Sequence, residues 1–170
     1  MNQKGIILKQ LESMGFEPVE LGEAGYLFKY EDFTYLFMPD EDDDNFLRIL
    51  IPRIFDVTDE NRLEVLEAMH ETTQILKYVK VCIMYETSVW ACYEHYLNST
   101  DNLTDLLEHI IHILETSVHV FYKKINGEEG PNRLLESEDD SELSDEELEA
   151  ELQRLFEENI DDEELNHYNN

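Results

Sequence analysis

Apolar residues recur along this chain in two ways. In some segments they return every three or four positions, the period of a helix. In others they run together or alternate, the habit of a strand. Ile6, Ile7, Leu8, Leu11 and Met14 have helical spacing and Gly15 follows as a stop, which predicts a helix of about ten residues. Phe16, Val19 and Leu21 lead away from it through Pro18, so this piece reads as a loop or a broken edge strand. Two aromatic runs, Tyr26 to Tyr30 and Phe33 to Met38, predict strands. Glu31-Asp32 between them has the length of a hairpin turn, without the glycine such turns prefer. Pro39 and the acids Asp40 to Asp44 end the second strand. Phe46 to Ile51 predicts a third, closing at Pro52, which has no N–H for a sheet ladder.

The stretch from Phe46 to Ile83 organises the pattern as strand, helix, strand. Thr58 or Asp59 is placed to cap the central helix, with acids in its first turn as the helix dipole favours. Leu63, Leu66, Met69 or His70, Thr73 and Leu76 form one stripe, with Val65, Met69 and Thr72 beside it. Lys80 to Tyr85 and Ser88 to Leu97 then predict a second hairpin around Glu86-Thr87. Its register has two solutions. A two-residue loop pairs Cys82 with Ala91 and puts Cys92 on the opposite face, whereas a three-residue loop sets Cys82 across from Cys92. The last helix carries the strongest pattern. Ser99, Thr100 or Asp101 starts it, and Leu103, Leu106, Leu107, Ile110, Ile113, Leu114, Ser117, Val118, Phe121 and Ile125 follow at helical spacing. Asn126-Gly127 closes it, with Lys123 and Lys124 at its negative end.

Both alternating faces are apolar in Phe33 to Phe37 and in Phe46 to Ile51, so the sheet must be covered on both sides. Either the helices divide between the faces, or a second copy of the chain covers one of them. The expected architecture is α+β, a twisted antiparallel five-stranded sheet in the order α-β-β-β-α-β-β-α, over residues 1–127.

Residues 128–170 differ sharply. Between Glu128 and Glu164 eighteen acids stand against two bases, Arg133 and Arg154, a net of −16 within a total of −29, which leaves −13 for the rest. Ser137 to Glu142 reads as an acidic linker. Ser144 to Glu147 reads as a capping box, and Leu148, Leu152 and Phe156 follow at i, i+4 and i+8, with Leu155 and Ile160 adjacent. This predicts a short acidic amphipathic helix that needs a surface to dock on, because helices of such length are marginal alone in water.

The charge argues against nucleic acid and against anionic membrane surfaces, both of which call for Lys and Arg. It permits basic proteins, and it serves solubility. No apolar run approaches the roughly 20 residues of a membrane span, no signal peptide is visible, and Cys82 and Cys92 make no disulfide framework. A reducing, cytoplasmic setting is expected.

The pieces ILKQLESMGFEP, FLRILIPRIFDV, the helix running into LKYVKVCI, and NLTDLLEHIIHILE give the chain, over Ile6 to Ile125, an element order and texture that resemble the YbjN family, with the fold of type III secretion chaperones. That resemblance implies a strongly twisted antiparallel sheet with helices packed around it, often as a dimer. It also implies a role like that of the YbjN-like candidate regulators of sensory transduction, or of chaperones that hold extended stretches of another protein. The acidic tail lies outside the shared domain.

Few residues suggest chemistry. His109, His112, His119, Glu108 and Glu115 lie on the last helix, where helical spacing could place two metal ligands on one face, but His109 and His112 flank a Leu/Ile stripe and no HExxH is formed. Asp40 to Asp44 lack the spaced ligands, glycine and closing Glu of a calcium loop. Nothing in the spacing gathers Cys82, Cys92, His70 and His95 into a nucleophilic site. The chain has no glycine-rich phosphate loop, GxSxG or CxxC. The expectation is therefore a non-enzymatic protein-binding module without a cofactor, homodimeric, with an unidentified protein partner. Its binding surface is expected at Leu36, Met38, Leu66 and Met69, with Leu148, Leu152 and Phe156 in the tail. The tail either folds back as an internal plug or binds a basic partner. The alternative is a metal protein using His109 and His112.

Overall fold

In the computed structural model, residues 3–127 are described, together with 146, 147, 149, 150 and 152–154. The chain begins with helix α1 (Gln3–Ser13), which buries Ile7 and Leu11 and ends at Gly15 in the left-handed region, φ 92°. The segment after it is a two-residue edge strand, β1 (Val19–Glu20). The sheet therefore has six strands where the sequence predicts five. Pro18 stands outside the strand and interrupts no hydrogen bond within it, which leaves only Val19 and Glu20 to pair with the next strand.

The aromatic runs form β2 (Tyr26–Tyr30) and β3 (Phe33–Phe37), joined by the predicted Glu31-Asp32 turn. Glu31 takes φ 50°, the conformation glycine would adopt most easily there. The third predicted strand is longer than expected. β4 (Phe46–Asp56) continues through Pro52, because its pairing shifts between Ile51 and Phe55. Pro52 and Arg53 (φ 50°) fall within this bulge, where no ladder N–H is required of proline.

Helix α2 (Arg62–Ile75) starts from Asn61 rather than Thr58 or Asp59. Thr58 and Asn61 bond reciprocally ahead of it, Thr58 N–H to Asn61 Oδ1 at 2.8 Å and Asn61 N–H to Thr58 Oγ1 at 3.3 Å. Its buried side is Val65, Ala68 and Thr72, one face over from the predicted stripe, so Leu63 and Leu66 point outward. Small residues let α2 approach its neighbours closely, and Thr72 satisfies its buried hydroxyl on Ala68 O at 2.7 Å.

Strands β5 (Val79–Met84) and β6 (Ser88–Tyr96) form the second hairpin in a register that neither solution anticipated. Met84 pairs with Ser88 across Tyr85, Glu86 and Thr87, and Cys82 faces Trp90. Tyr85 and Glu86 both take positive φ, which allows this three-residue turn. Helix α3 (Leu103–Asn126) follows Asn102 and ends at Gly127. Its 24 residues give it a length of about 36 Å. An ion pair from Lys124 to Glu71, 2.7 Å, ties its end to α2.

The antiparallel sheet runs β1-β2-β3-β4-β6-β5. All three helices cover one face. Ile7 and Leu11 of α1, Val65 and Ala68 of α2, and Leu107, Ile110, Leu114 and Phe121 of α3 share one core with Phe28, Tyr35, Phe37, Ile49, Ala91 and Tyr93 of the sheet. Among the described residues no helix is long and apolar enough to cross a membrane.

Candidate functional site

The opposite face of the sheet is also apolar, and no body helix covers it. Register places Leu27, Leu36, Leu50, Cys92 and Lys80 side by side across five strands. Trp90, facing Cys82, lies in the next row. Leu36 and Trp90 are fully buried and Leu50 is 2% exposed, so something other than a helix of the body excludes water here.

Two segments do so. The first is the turn between β1 and β2, which folds Leu21 and Ala24 onto the face. The turn is closed by the Leu21 N–H to Gly25 O bond at 2.8 Å. It requires glycine at 25, where φ is 125° and a Cβ would lie 2.2 Å from Phe37 O. The second is the acidic tail. Helical at 146, 147, 149, 150 and 152–154, it buries Leu152 completely in the same cluster as Leu36, Leu50, Trp90 and Cys92. Burying a leucine side chain contributes about 1.5–3 kcal/mol. Met38, Met84 and Tyr85 border the cluster. Glu149 stands with Lys29 and Thr34 at a neighbouring cleft of about 350 Å³.

The polar groups around Trp90 and Glu94 are paired. Trp90 Nε1–H donates to Ser88 Oγ at 2.8 Å, and the Tyr85 ring meets the Trp90 ring edge-on at 5.8 Å. Glu94 accepts from Arg48 Nε at 3.2 Å and, with its other oxygen, from Lys80 Nζ. Arg48 also lies over the Phe46 ring, 4.9 Å from its centre. Burial pushes the Cys92 thiol up to about 12, and the nearby Glu94 charge adds to this. Burial likewise raises Cys82. Both stay thiols at neutral pH, which is the wrong form for a nucleophile. What the arrangement can do is hold an apolar side chain presented on a helix, beside a margin of fixed charges.

No protein-family model matches the chain, and no curated protein matches it in sequence. Solved structures do. YbjN from E. coli, a candidate transcription regulator, superposes with a TM-score of 0.50 at 8% identity, over 67% of this chain and 87% of that one. This chain shares the fold of YbjN. An uncharacterized protein from Methanothermobacter thermautotrophicus gives a TM-score of 0.44 at 14% identity, over 72% of this chain and 99% of that one. The likeness to YbjN is one of fold, and the site must be judged on its own residues.

The expected binding residues separate. Leu36, Met38 and Leu152 come together on this face. Leu66, 45% exposed, and Met69, half-buried, lie on α2 on the far side of the sheet. Leu148 and Phe156 fall outside the residues whose side chains are described. The sequence reading missed Leu27, Leu50, Trp90 and Cys92. Their strand parity, matched to Leu36 in the right register, was the signal.

His109 and His112 are both exposed and diverge. His109 meets the Tyr93 ring edge-on at 6.4 Å, while His112 lines the cleft between α1 and α3 with Gln10, Thr104, Glu108 and Glu115. Among the described residues no group of three His, Cys, Asp or Glu side chains gathers as a metal site. Asp40 Oδ1 accepts the N–H groups of Asp42 and Asp43 at 3.0 and 3.1 Å, which makes the acidic run a tight turn.

Proposed function

We propose that this chain is a non-enzymatic, cytoplasmic protein-binding module with a regulatory or chaperone-like role, and that it binds through the helix-free face of its sheet. One observation carries the reading: Leu152, a residue of the tail, is fully buried among Leu36, Leu50, Trp90 and Cys92. An apolar sheet face that accepts a leucine from outside the domain is a receptor for an amphipathic segment. In this reading the tail is an internal plug that a partner displaces. The shared fold with YbjN, a candidate transcription regulator, is consistent with regulation.

A panel of amphipathic helical peptides of varied charge, titrated into the full chain and into its Leu152→Glu variant, tests the proposal. Trp90 is the single tryptophan and its fluorescence reports occupancy. At least one peptide is expected to saturate the variant, and to bind the wild type more weakly. If no peptide saturates the variant, the face is not a binding surface.

A further inference from the structure

We propose that the partner segment is an acidic amphipathic helix, of which the chain's own tail is an internal copy. The proposal rests on reading the helix-free face as a binding surface, and it names what that surface takes.

The first argument is the occupant. The anchor Leu152 sits in a sequence crowded with Glu146, Glu147, Glu149 and Glu151. Glu149, three residues before the anchor and so on the same side of a helix, is half-buried and stands at the cleft with Lys29 and Thr34. An acid one turn from the anchor is therefore half-buried beside the sheet.

The second argument is charge. Strand parity gives this face three bases, Lys29, Arg48 and Lys80, against two acids, Glu94 and Asp56. The chain outside residues 128–164 carries a net −13. In a strongly acidic domain the strands of this face thus carry a slight excess of bases, with Glu17 at the cleft beside Lys29. Glu94 binds two of them, Arg48 and Lys80, and one carboxylate leaves that trio a net positive charge. Complementary potentials select partners and exclude those of like sign. A basic helix seated on Leu36 and Trp90 would bring its charges against Lys29 and Arg48.

The third argument is geometry. The buried anchors Leu36, Leu50, Trp90 and Cys92 lie on the inner strands β3, β4 and β6, away from the free strand edges. The fitting mode is a helix laid in a groove and held by apolar anchors one turn apart, in contrast to an added strand.

The test uses the full chain carrying Leu152→Glu, so that its own segment no longer holds the face. Two labelled synthetic peptides are compared by anisotropy. One has the sequence of residues 144–160. The other keeps every apolar residue and replaces the acids with lysine. The acidic peptide is expected to bind at least tenfold more tightly, to lose about tenfold when Lys29→Glu is added, and to weaken as salt is raised. Equal or tighter binding of the lysine peptide overturns the acidic partner while leaving the binding face intact. Binding of neither peptide overturns the face as well. If Leu152→Glu fails to fold, Leu152→Ala serves the same comparison.

Discussion

Leu36 of strand β3 and Leu152 of the acidic tail are both fully buried in one apolar cluster, although the body helices all lie on the other side of the sheet. Among the described residues, the sheet's second face is thereby covered from within the chain by the β1–β2 turn and by Leu152.

That contact has an optical readout. Trp90 lies in the same cluster and is fully buried. Leu152→Glu should red-shift its emission and increase acrylamide quenching, while the thermal transition of the domain stays cooperative. The cost should be about 1.5–3 kcal/mol, the value of one buried leucine, because the tail can leave the face without unfolding the body. An unchanged Trp90 signal would mean that Leu152 does not shelter the indole.

Gly25→Ala should be among the most damaging single changes. The added methyl would need to occupy space 2.2 Å from Phe37 O, at a backbone φ of 125°. Relief requires the β1–β2 turn to lift, withdrawing Leu21 and Ala24 from the cluster. A loss of about 3 kcal/mol or more in urea unfolding is expected. A loss under about 1 kcal/mol would show that the turn adjusts freely.

Alkali should destabilise the fold through buried acids. Burial holds Cys92 up to about 12, and Tyr85 to about 12, above the values they take when unfolded. As pH rises past 9 the unfolded thiol loses its proton first, so the unfolded state binds fewer protons and stability falls. The slope is up to about 1.4 kcal/mol per pH unit for each such group. Urea midpoints measured from pH 8 to 11 should therefore fall less steeply for Cys92→Ala than for the wild type. Parallel slopes would contradict the buried thiol.

On α2, Leu66→Lys should change stability by no more than about 0.5 kcal/mol, since Leu66 is 45% exposed. Val65→Ala, one residue away and fully buried, should cost about 1–3 kcal/mol. Chemical denaturation of the two variants separates the faces directly. The reverse ranking would restore the stripe that the sequence suggests.

That reversal explains how far the sequence could be read. The aromatic hairpin at Tyr26–Tyr30 and Phe33–Phe37 is legible because its turn length leaves one register. Helix α3 is legible because its apolar stripe is long and unbroken. Helix α2 offers two overlapping stripes, and packing chose the one with Ala68 and Thr72 because small side chains let backbones approach. The β5–β6 register is decided by Tyr85 and Glu86 accepting positive φ, which residue type alone does not announce. For the site, apolar character on both sides of β3 and β4 was enough to place Leu36 on a face needing cover, and helical spacing marked Leu152. The two could be joined only once parity aligned Leu50, Trp90 and Cys92 with Leu36.

The bulge in β4 has a consequence for motion. Before it, Ile49 and Leu50 pair with β3 on one side and β6 on the other. Beyond it, Phe55 and Asp56 keep only β6. The Ile54 carbonyl accepts instead from the Tyr122 hydroxyl of α3, and Phe55 packs edge-on against Phe121 at 5.7 Å. One strand is thus held by two different sets of contacts. Its first half is locked into the sheet, and its second half is clamped by the end of the helix that leads into the tail. Amide exchange should divide at Pro52, with the far half opening together with the last turns of α3 while the floor under Leu152 stays protected.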